Sequence, residues 1–139
     1  MERSLVLIKP DAMQRDLAGA IIARLEKLGL KLVAIKLLHL DKALAQRHYA
    51  VHKDKPFHDN LVDYISSAPI VACVFEGEKA VEVIRKAMGA TDPSKAEKGT
   101  IRGDFGLDIN QNSIHGSDST ATAEEEIKLF FTPQEIFGY

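Results

Sequence analysis

Tryptophan is missing from this 139-residue chain, and cysteine occurs once. A lone thiol rules out an internal disulfide. Cys73 sits in the apolar run IVACVF, where a buried structural thiol in a reducing cytoplasm is the expectation, not a nucleophile. Long apolar runs are also lacking: none approaches the length a bilayer requires, so no membrane is expected as a partner. The opening MERSLVLIKPDA holds only a short apolar stretch broken by Lys9 and Pro10, without the apolar centre of a signal peptide. Nor is positive charge in surplus. Lys and Arg total 18 against 20 Asp and Glu, for a net charge of −2. That excludes the basic footprint usual in nucleic-acid binders, and any anionic ligand must be held by local cations. Neither G-x-x-x-x-G-K-[ST] nor G-x-G-x-x-G occurs, which excludes the P-loop and Rossmann solutions to nucleotide binding. Repeats, linkers and low-complexity tracts are absent as well.

What is present is an ordinary soluble globular composition, 45% hydrophobic and 27% charged. Residues 1–139 are expected to form a single domain, long enough to bury its own core. SLVLIK (Ser4 to Lys9) reads as a buried strand stopped by a turn at Pro10 and Asp11, with Lys9 at its exit. Ala18, Ile21, Ile22, Leu25 and Leu28 recur at helical spacing, and Gly29 closes that helix. KLVAIKLLHL predicts a strand over 31–40, Asp41 a cap for a helix through KALAQRHYAVH, and FHDNLVDYISS a second short helix. PIVACVFEG (Pro69 to Gly77) predicts a central strand. The stripe Ala80, Val83, Ile84, Ala87 and Met88 predicts a helix after it. From Gly89 to Gly116 the periodicity fades into a long irregular segment, where Asp92 and Pro93 suggest the start of a short helix. TAEEEIKLFF closes the chain with Ala123, Ile127, Phe130 and Phe131 on one helical face.

Long irregular segments within compact domains are often functional, and this one carries Thr91, Arg102, Asn112 and His115, with Arg85 on the helix just before it. Guanidinium groups grip phosphate with paired hydrogen bonds, so the set suits a phosphate site. The stretch NSIHGSD surrounds His115 with small and polar residues, which presents the ring instead of packing it. With an unperturbed pKa of about 6.5, histidine keeps a free nitrogen lone pair near pH 7 and can attack phosphorus directly. Such catalysis needs an acceptor on the other ring nitrogen. On the following helix Glu125 points away from Ile127 and Phe131, while Glu124 and Glu126 border the apolar face on its two sides. Spacing leaves those two open.

LIKPDA (Leu7 to Ala12), HYAVHKDKPF (His48 to Phe57), RKAMGATDP (Arg85 to Pro93), GTIRGDF (Gly99 to Phe105) and NSIHGSDS (Asn112 to Ser119) together resemble the nucleoside diphosphate kinase family, in one register along nearly the whole chain. The resemblance implies an α/β fold of α+β sandwich type. It would be a ferredoxin-like βαββαβ core with an antiparallel four-stranded sheet, an inserted helical hairpin around Ala45 and Leu61, and the long loop walling the nucleotide site. It also implies a ping-pong reaction, in which His115 takes the γ-phosphoryl group from a nucleoside triphosphate, chiefly ATP, and passes it to a nucleoside diphosphate. Lys9, Tyr49, Arg85, Thr91, Arg102 and Asn112 match the family's phosphate, sugar and catalytic positions, and Phe57 the base-stacking position. Glu126 matches the carboxylate that orients the histidine, supported by Ser117. Mg²⁺ is the implied cofactor, held mainly by nucleotide phosphates with no side-chain ligand. The implied assembly is a homo-oligomer, a hexamer or tetramer built from dimers.

Taken singly, these residues have plainer readings. Lys9 would be a solvated strand end, Arg85 a surface cation, Tyr49 and Phe57 core aromatics, Thr91 and Asn112 turn residues, and His115 a loop residue. Gly116 is expected to leave room for ligand or for a sharp turn. His48 and His52, four apart with His58 nearby, have a spacing that could hold a metal, but helix-surface histidines are the expectation. The RGD at Arg102 to Asp104 is read as incidental. The chain departs from the family at His58-Asp59-Asn60, where an aromatic and a glycine are usual, which puts the local helix start and the base-side contacts in question. Lys98 replaces the usual proline and predicts either a looser loop or different partner contacts. The last helix lacks the family's tryptophan, and the chain stops soon after GY. A nucleotide-sensing module or an interaction scaffold of the same fold would take up no covalent phosphate.

Overall fold

The computed structural model describes residues 1–139. Strand β1 (Glu2–Ile8) alternates its side chains between two fully buried faces: Leu5 and Leu7 enter one apolar cluster, Val6 and Ile8 another. Strand β3 (Ile70–Gly77) does the same, sending Ile70, Ala72 and Val74 one way and Val71, Cys73 and Phe75 the other. Only strands covered on both faces carry such uninterrupted apolar runs. With β2 (Lys31–Leu38) and β4 (Ile114–Gly116) they form one antiparallel sheet in the order β2-β3-β1-β4. A ladder irregularity between Leu32 and Ala34 lets Val33 and Ala34 both face the first cluster.

The face of Val6 and Ile8 is covered by α2 (Ala18–Glu26), through Ile21 and Leu25, and by α5 (Ala80–Met88), through Ala80, Ile84 and Met88. On the other face lie α3 (Lys42–His48), α4 (His58–Ile65) and α7 (Thr120–Phe130), which contribute Ala45, Val62, Ile65, Ile127 and Phe130. This is the expected ferredoxin-like sandwich, with α3 and α4 as the inserted hairpin. Asp41 caps α3 as expected, its Oδ1 accepting from Leu44 N–H at 2.8 Å. Cys73 is buried, and burial pushes its thiol up to about 12. No helix is long and apolar enough to cross a membrane.

Several expected boundaries move. Pro10 and Asp11 do not turn the chain but open a short helix, α1 (Pro10–Gln14), where Pro10 occupies a first-turn position that lacks a hydrogen-bond partner in any helix. β2 ends at Leu38 and not at residue 40. The helix expected through His52 stops at His48 and continues as a 3₁₀ turn, Ala50–His52. The long segment after Gly89 is less irregular than its composition suggests. It holds a 3₁₀ turn at Pro93–Lys95, capped by Asp92 as expected, and α6 (Ile101–Phe105), started by Thr100 Oγ1 accepting from Gly103 N–H at 3.0 Å; β4 completes it. α4 begins directly at His58, so the family departure there leaves a regular helix start. At Lys98 the neighbouring Gly99 N–H is held by Asp104 Oδ1 at 3.0 Å, which ties the loop down where proline is missing.

Candidate active site

The short strand β4 positions His115. Its residue pairs across the sheet with Leu7, so the imidazole projects from the same face as Leu7, toward α3 and α7. Ser113, just before the strand, has φ 75°, a left-handed conformation that a non-glycine residue adopts only when held. Here it is held by its Oγ donating to Asp11 Oδ2 at 3.1 Å and its carbonyl accepting from Lys9 N–H at 2.9 Å. Asp11, almost wholly buried, also pairs with Arg15 and accepts from the Tyr64 hydroxyl, so one carboxylate fastens β4's entry to the helical hairpin. On the side where a Cβ would stand, Gly116 is packed against a helix, Met88 Sδ lying 2.6 Å from that position, while Gly116 also lines the cleft; its φ is not left-handed, so no sharp turn is involved.

His115 Nε2 lies 3.1 Å from Glu126 Oε1, and Ser117 Oγ donates to the same oxygen at 2.7 Å. Leu5 N–H donates to Ser117 Oγ at 3.2 Å, so the relay is anchored in β1. Of the two glutamates left open by helical spacing, Glu126 is buried and Glu124 exposed. Burial pushes the Glu126 carboxyl up, but hydrogen bonds and charge from His115, then Ser117 and His48, outweigh it and hold the group below its usual range.

Lys9, expected at a solvated strand end, is 6% exposed. Burial, with the nearby Arg102 charge, lowers its pKa to about 8, against the weaker opposing pull of Asp11. Its Nζ donates to Asn112 Oδ1 at 2.8 Å, and Asn112 Nδ2 donates to the carbonyls of Thr91 at 3.0 Å and Ile109 at 3.1 Å, so the amide is fully occupied in aiming the lysine. Arg102 is buried too. Its Nη1 and Nη2 donate to the carbonyls of Gly89 at 3.3 Å and Ile114 at 2.8 Å, while its buried Nε has no partner. Burial, followed by the Arg85 charge, brings its pKa down to about 10, so it remains a cation at neutral pH. Arg102 within the RGD tripeptide is thus hidden, and Asp104 pairs with Arg24 at 2.7 Å. Arg85 is more open and forms an ion pair with Asp118 at 2.6 Å, a partner the motif gave no reason to weigh.

All of Lys9, Tyr49, Phe57, Arg85, Thr91, Arg102, Asn112, His115 and Glu126 line one cleft of about 930 Å³. Ser117 stands behind it. Phe57 forms the rim, 43% exposed, with His52 at 5.4 Å between ring centroids. The expectation of surface histidines fails at His48: its side chain is 1% exposed, and its ring stands edge-on to His115 with centroids 4.7 Å apart. His48 Nδ1 is 3.8 Å from Glu126 Oε2, yet burial and the neighbouring His115 depress its pKa to about 3, so the contact is a neutral imidazole beside a carboxylate and not an ion pair. An apolar neighbourhood on α3's inward face, formed by Ala45 and Leu44, is the signal that would have turned His48 inward.

The nucleoside diphosphate kinase family profile matches residues 2–136. A nucleoside diphosphate kinase of Dehalococcoides mccartyi is 58% identical over 139 residues, covering 100% of this chain and 98% of its own. The chain belongs to the nucleoside diphosphate kinase family. The Pyrococcus furiosus nucleoside diphosphate kinase is 56% identical over 142 residues, covering 100% of this chain and 88% of its own. Among solved structures, a halophilic nucleoside diphosphate kinase from Halobacterium salinarum in complex with CDP superposes with a TM-score of 0.97 at 48% identity, over 99% of this chain and 92% of that one. The Aquifex aeolicus nucleoside diphosphate kinase gives 0.96 at 40% identity, over 98% and 99%. The activity is accordingly that of a nucleoside diphosphate kinase, phosphoryl transfer from nucleoside triphosphates to diphosphates, and the family uses a divalent metal ion.

Proposed function

We propose that His115 is the nucleophile of a two-step transfer and that the cleft residues named above hold the nucleotide. The observation that carries this reading is the Glu126 contact: a carboxylate at Nε2 fixes the ring tautomer with its proton on Nε2 and the lone pair on Nδ1. Nδ1 attacks the γ-phosphorus, the bond from phosphorus to the β-phosphate oxygen breaks, and a nucleoside diphosphate leaves. The ring, now phosphorylated on Nδ1, carries positive charge that Glu126 neutralises. A second diphosphate then takes the phosphoryl group by the reverse displacement.

Little covalent work is asked of the protein beyond this, because phosphoryl transfer depends chiefly on in-line positioning and charge stabilisation. Lys9, Arg85 and Arg102 bring three cations to the phosphates. Arg102 Nε, buried without a partner, is a donor available to phosphate oxygen, and Arg85 exchanges Asp118 for the nucleotide. Tyr49 stays protonated, since burial raises its pKa, and so presents a hydroxyl donor. Thr91 lies at the phosphate and sugar end beside Asn112. Phe57 supplies an exposed face for any base.

The metal would be Mg²⁺. Of the cleft's carboxylates, Glu126 is spent on His115 and Ser117 and Asp118 on Arg85, leaving only exposed Glu125, so the donor set fits an ion carried in by the phosphates. Mg²⁺ would add positive charge at the transferred group.

Residues 1–139 act as one domain in a reducing cytoplasm, a setting that suits the single buried Cys73. Ile35 and Leu37, half exposed or more on the outer strand β2, support a homo-oligomer, hexamer or tetramer, built from dimers. Incubation with γ-labelled ATP and Mg²⁺ should give an acid-labile, alkali-stable adduct that a second diphosphate discharges. Equal labelling of His115→Ala would sink the assignment.

A further inference from the structure

His48 is a buried polar side chain without work. Both ring nitrogens lie inside the protein with no hydrogen-bond partner, although buried polar groups are nearly always paired. The ring faces the active site: its centroid is 4.7 Å from that of His115, and donor atoms of His48, His115 and Glu126 all fall within 4.8 Å of one another. Two of the separations are 3.1 Å, from His115 Nε2 to Glu126 Oε1, and 3.8 Å, from His48 Nδ1 to Glu126 Oε2. Two donors on a four-coordinate zinc ion, each about 2.1 Å from the metal, stand about 3.4 Å apart. The two histidine-to-carboxylate separations, to different oxygens of Glu126, bracket that value, so the three side chains stand at the spacing of a shared ion. His48 is neutral at ordinary pH, the form that ligates metals, and all three residues line the cleft.

We propose that His48, His115 and Glu126 form a site for a zinc-class divalent cation, Zn²⁺ or Co²⁺, and that filling it switches phosphoryl transfer off. Two imidazoles and one carboxylate suit a borderline-soft ion and not Mg²⁺, which keeps oxygen donors. The site is thus separate in chemistry from the ion carried on the nucleotide. The inhibitory part rests on His115 being the nucleophile. In the active tautomer the proton is on Nε2 and the lone pair on Nδ1. A metal bound at Nε2 takes that nitrogen's lone pair, the ring proton moves to Nδ1, and no lone pair faces the γ-phosphorus.

Binding is read first without nucleotide. Titrating the metal-free kinase with ZnCl₂ in a calorimeter should give one ion per chain. Substituting Co²⁺ should give the visible bands of a four-coordinate nitrogen and oxygen site. His48→Phe, near in shape, should weaken Zn²⁺ binding by more than the roughly ten- to a hundredfold that losing an outer-shell partner costs, because a ligand itself is removed. Should that variant fail to fold by circular dichroism, His115→Gln, at a less buried position, must weaken binding likewise. Zn²⁺ should suppress labelling from γ-labelled ATP at constant Mg²⁺, and a zinc-selective chelator should restore it. Equal Zn²⁺ affinity in wild type and these variants, or labelling untouched by a stoichiometric ion, overturns the proposal. Labelling of metal-free His115→Ala would instead sink the nucleophile assignment and leave the binding result standing.

Discussion

Glu126 Oε1 lies 3.1 Å from His115 Nε2, on the helix that follows the strand carrying the histidine. The same oxygen accepts from Ser117 at 2.7 Å, so the carboxylate cannot swing away without losing two partners. In the proposed transfer its charge would matter most when the His115 ring is phosphorylated and positive. Glu126→Gln keeps the shape and an acceptor but removes the charge. It should slow phosphorylation of His115 about 10- to 100-fold, as loss of an orienting partner typically does, with the nucleotide KM nearly unchanged. Rapid-quench measurement of the phosphoenzyme step checks this; a wild-type rate would remove Glu126 from the mechanism.

The buried His48 predicts an acid-sensitive fold. Its folded pKa of about 3 lies below the ordinary 6.5, so the unfolded chain binds a proton that the folded chain refuses. This depressed value places the stability fully present above about pH 6.5 and progressively lost as pH falls toward 3, with a slope of up to about 1.4 kcal/mol per pH unit from this one group. Glu126 adds its own loss only below 4.5. Urea melts between pH 7 and 5 should therefore show a decline that His48→Phe flattens. Parallel pH curves for the two proteins would refute it.

The elements with clear periodicity were legible in the residues: β1 and β3 by unbroken apolar runs, α2 and α5 by their inward stripes, α7 by Ala123, Ile127 and Phe130. β4 was not, because three residues, Ile114 to Gly116, are too few to show alternation, and they form a strand only by pairing with Val6 to Ile8. The short helices α1 and α6 escaped for the same reason of length. Motif matching named His115, Glu126 and the cations, which the structure gathers around one cleft. Side-chain direction was another matter: His48 turns inward and Lys9 is buried because tertiary packing, not local spacing, decides which face of a short element meets the core.

Lys9 predicts an alkaline limit on activity. Lowered to about 8, it loses its proton well below the ordinary 10.5 for lysine, and a neutral amine no longer attracts phosphate. The kcat/KM for ATP, which reports the free enzyme, should fall above about pH 8. Lys9→Arg, charged throughout, should lack that limb even if its activity is lower. Stability moves the other way: between 8 and 10.5 the unfolded chain binds the extra proton, so the fold gains stability as pH rises. A flat activity profile to pH 10 would show that the Lys9 charge is dispensable.

Arg102 is both cation and strut. Arg102→Ala should lower transfer efficiency about 10²- to 10³-fold, the scale of losing one preorganised donor. It should also destabilise the fold by about 1–3 kcal/mol, since the carbonyls of Gly89 and Ile114 lose their donor. At 6% exposure the side chain is part of the packing, so its removal costs stability while the fold persists. Arg102→Lys should recover little, because an ammonium cannot serve two carbonyls and a phosphate in one plane. Steady-state kinetics and thermal melts separate the two effects; unchanged kinetics would remove Arg102 from the site.

Phe57 tests the base-binding end in isolation. Its ring is 43% exposed at the cleft rim and belongs to neither apolar cluster, so Phe57→Ala should leave the melting temperature close to wild type. Stacking on an aromatic face is worth about 1–3 kcal/mol per base and is indifferent to base identity. The KM for ADP, GDP and CDP should therefore rise together, roughly ten- to a hundredfold, while the rate of phosphate transfer at saturation changes little. That pattern follows from the proposed binding mode, in which Phe57 contacts the base and not the reacting phosphorus, so its contribution would be the same in ground and transition states. A drop in kcat without a rise in KM would place Phe57 in positioning the phosphates, and a loss confined to one base would mean that edge contacts, not stacking, hold the nucleotide.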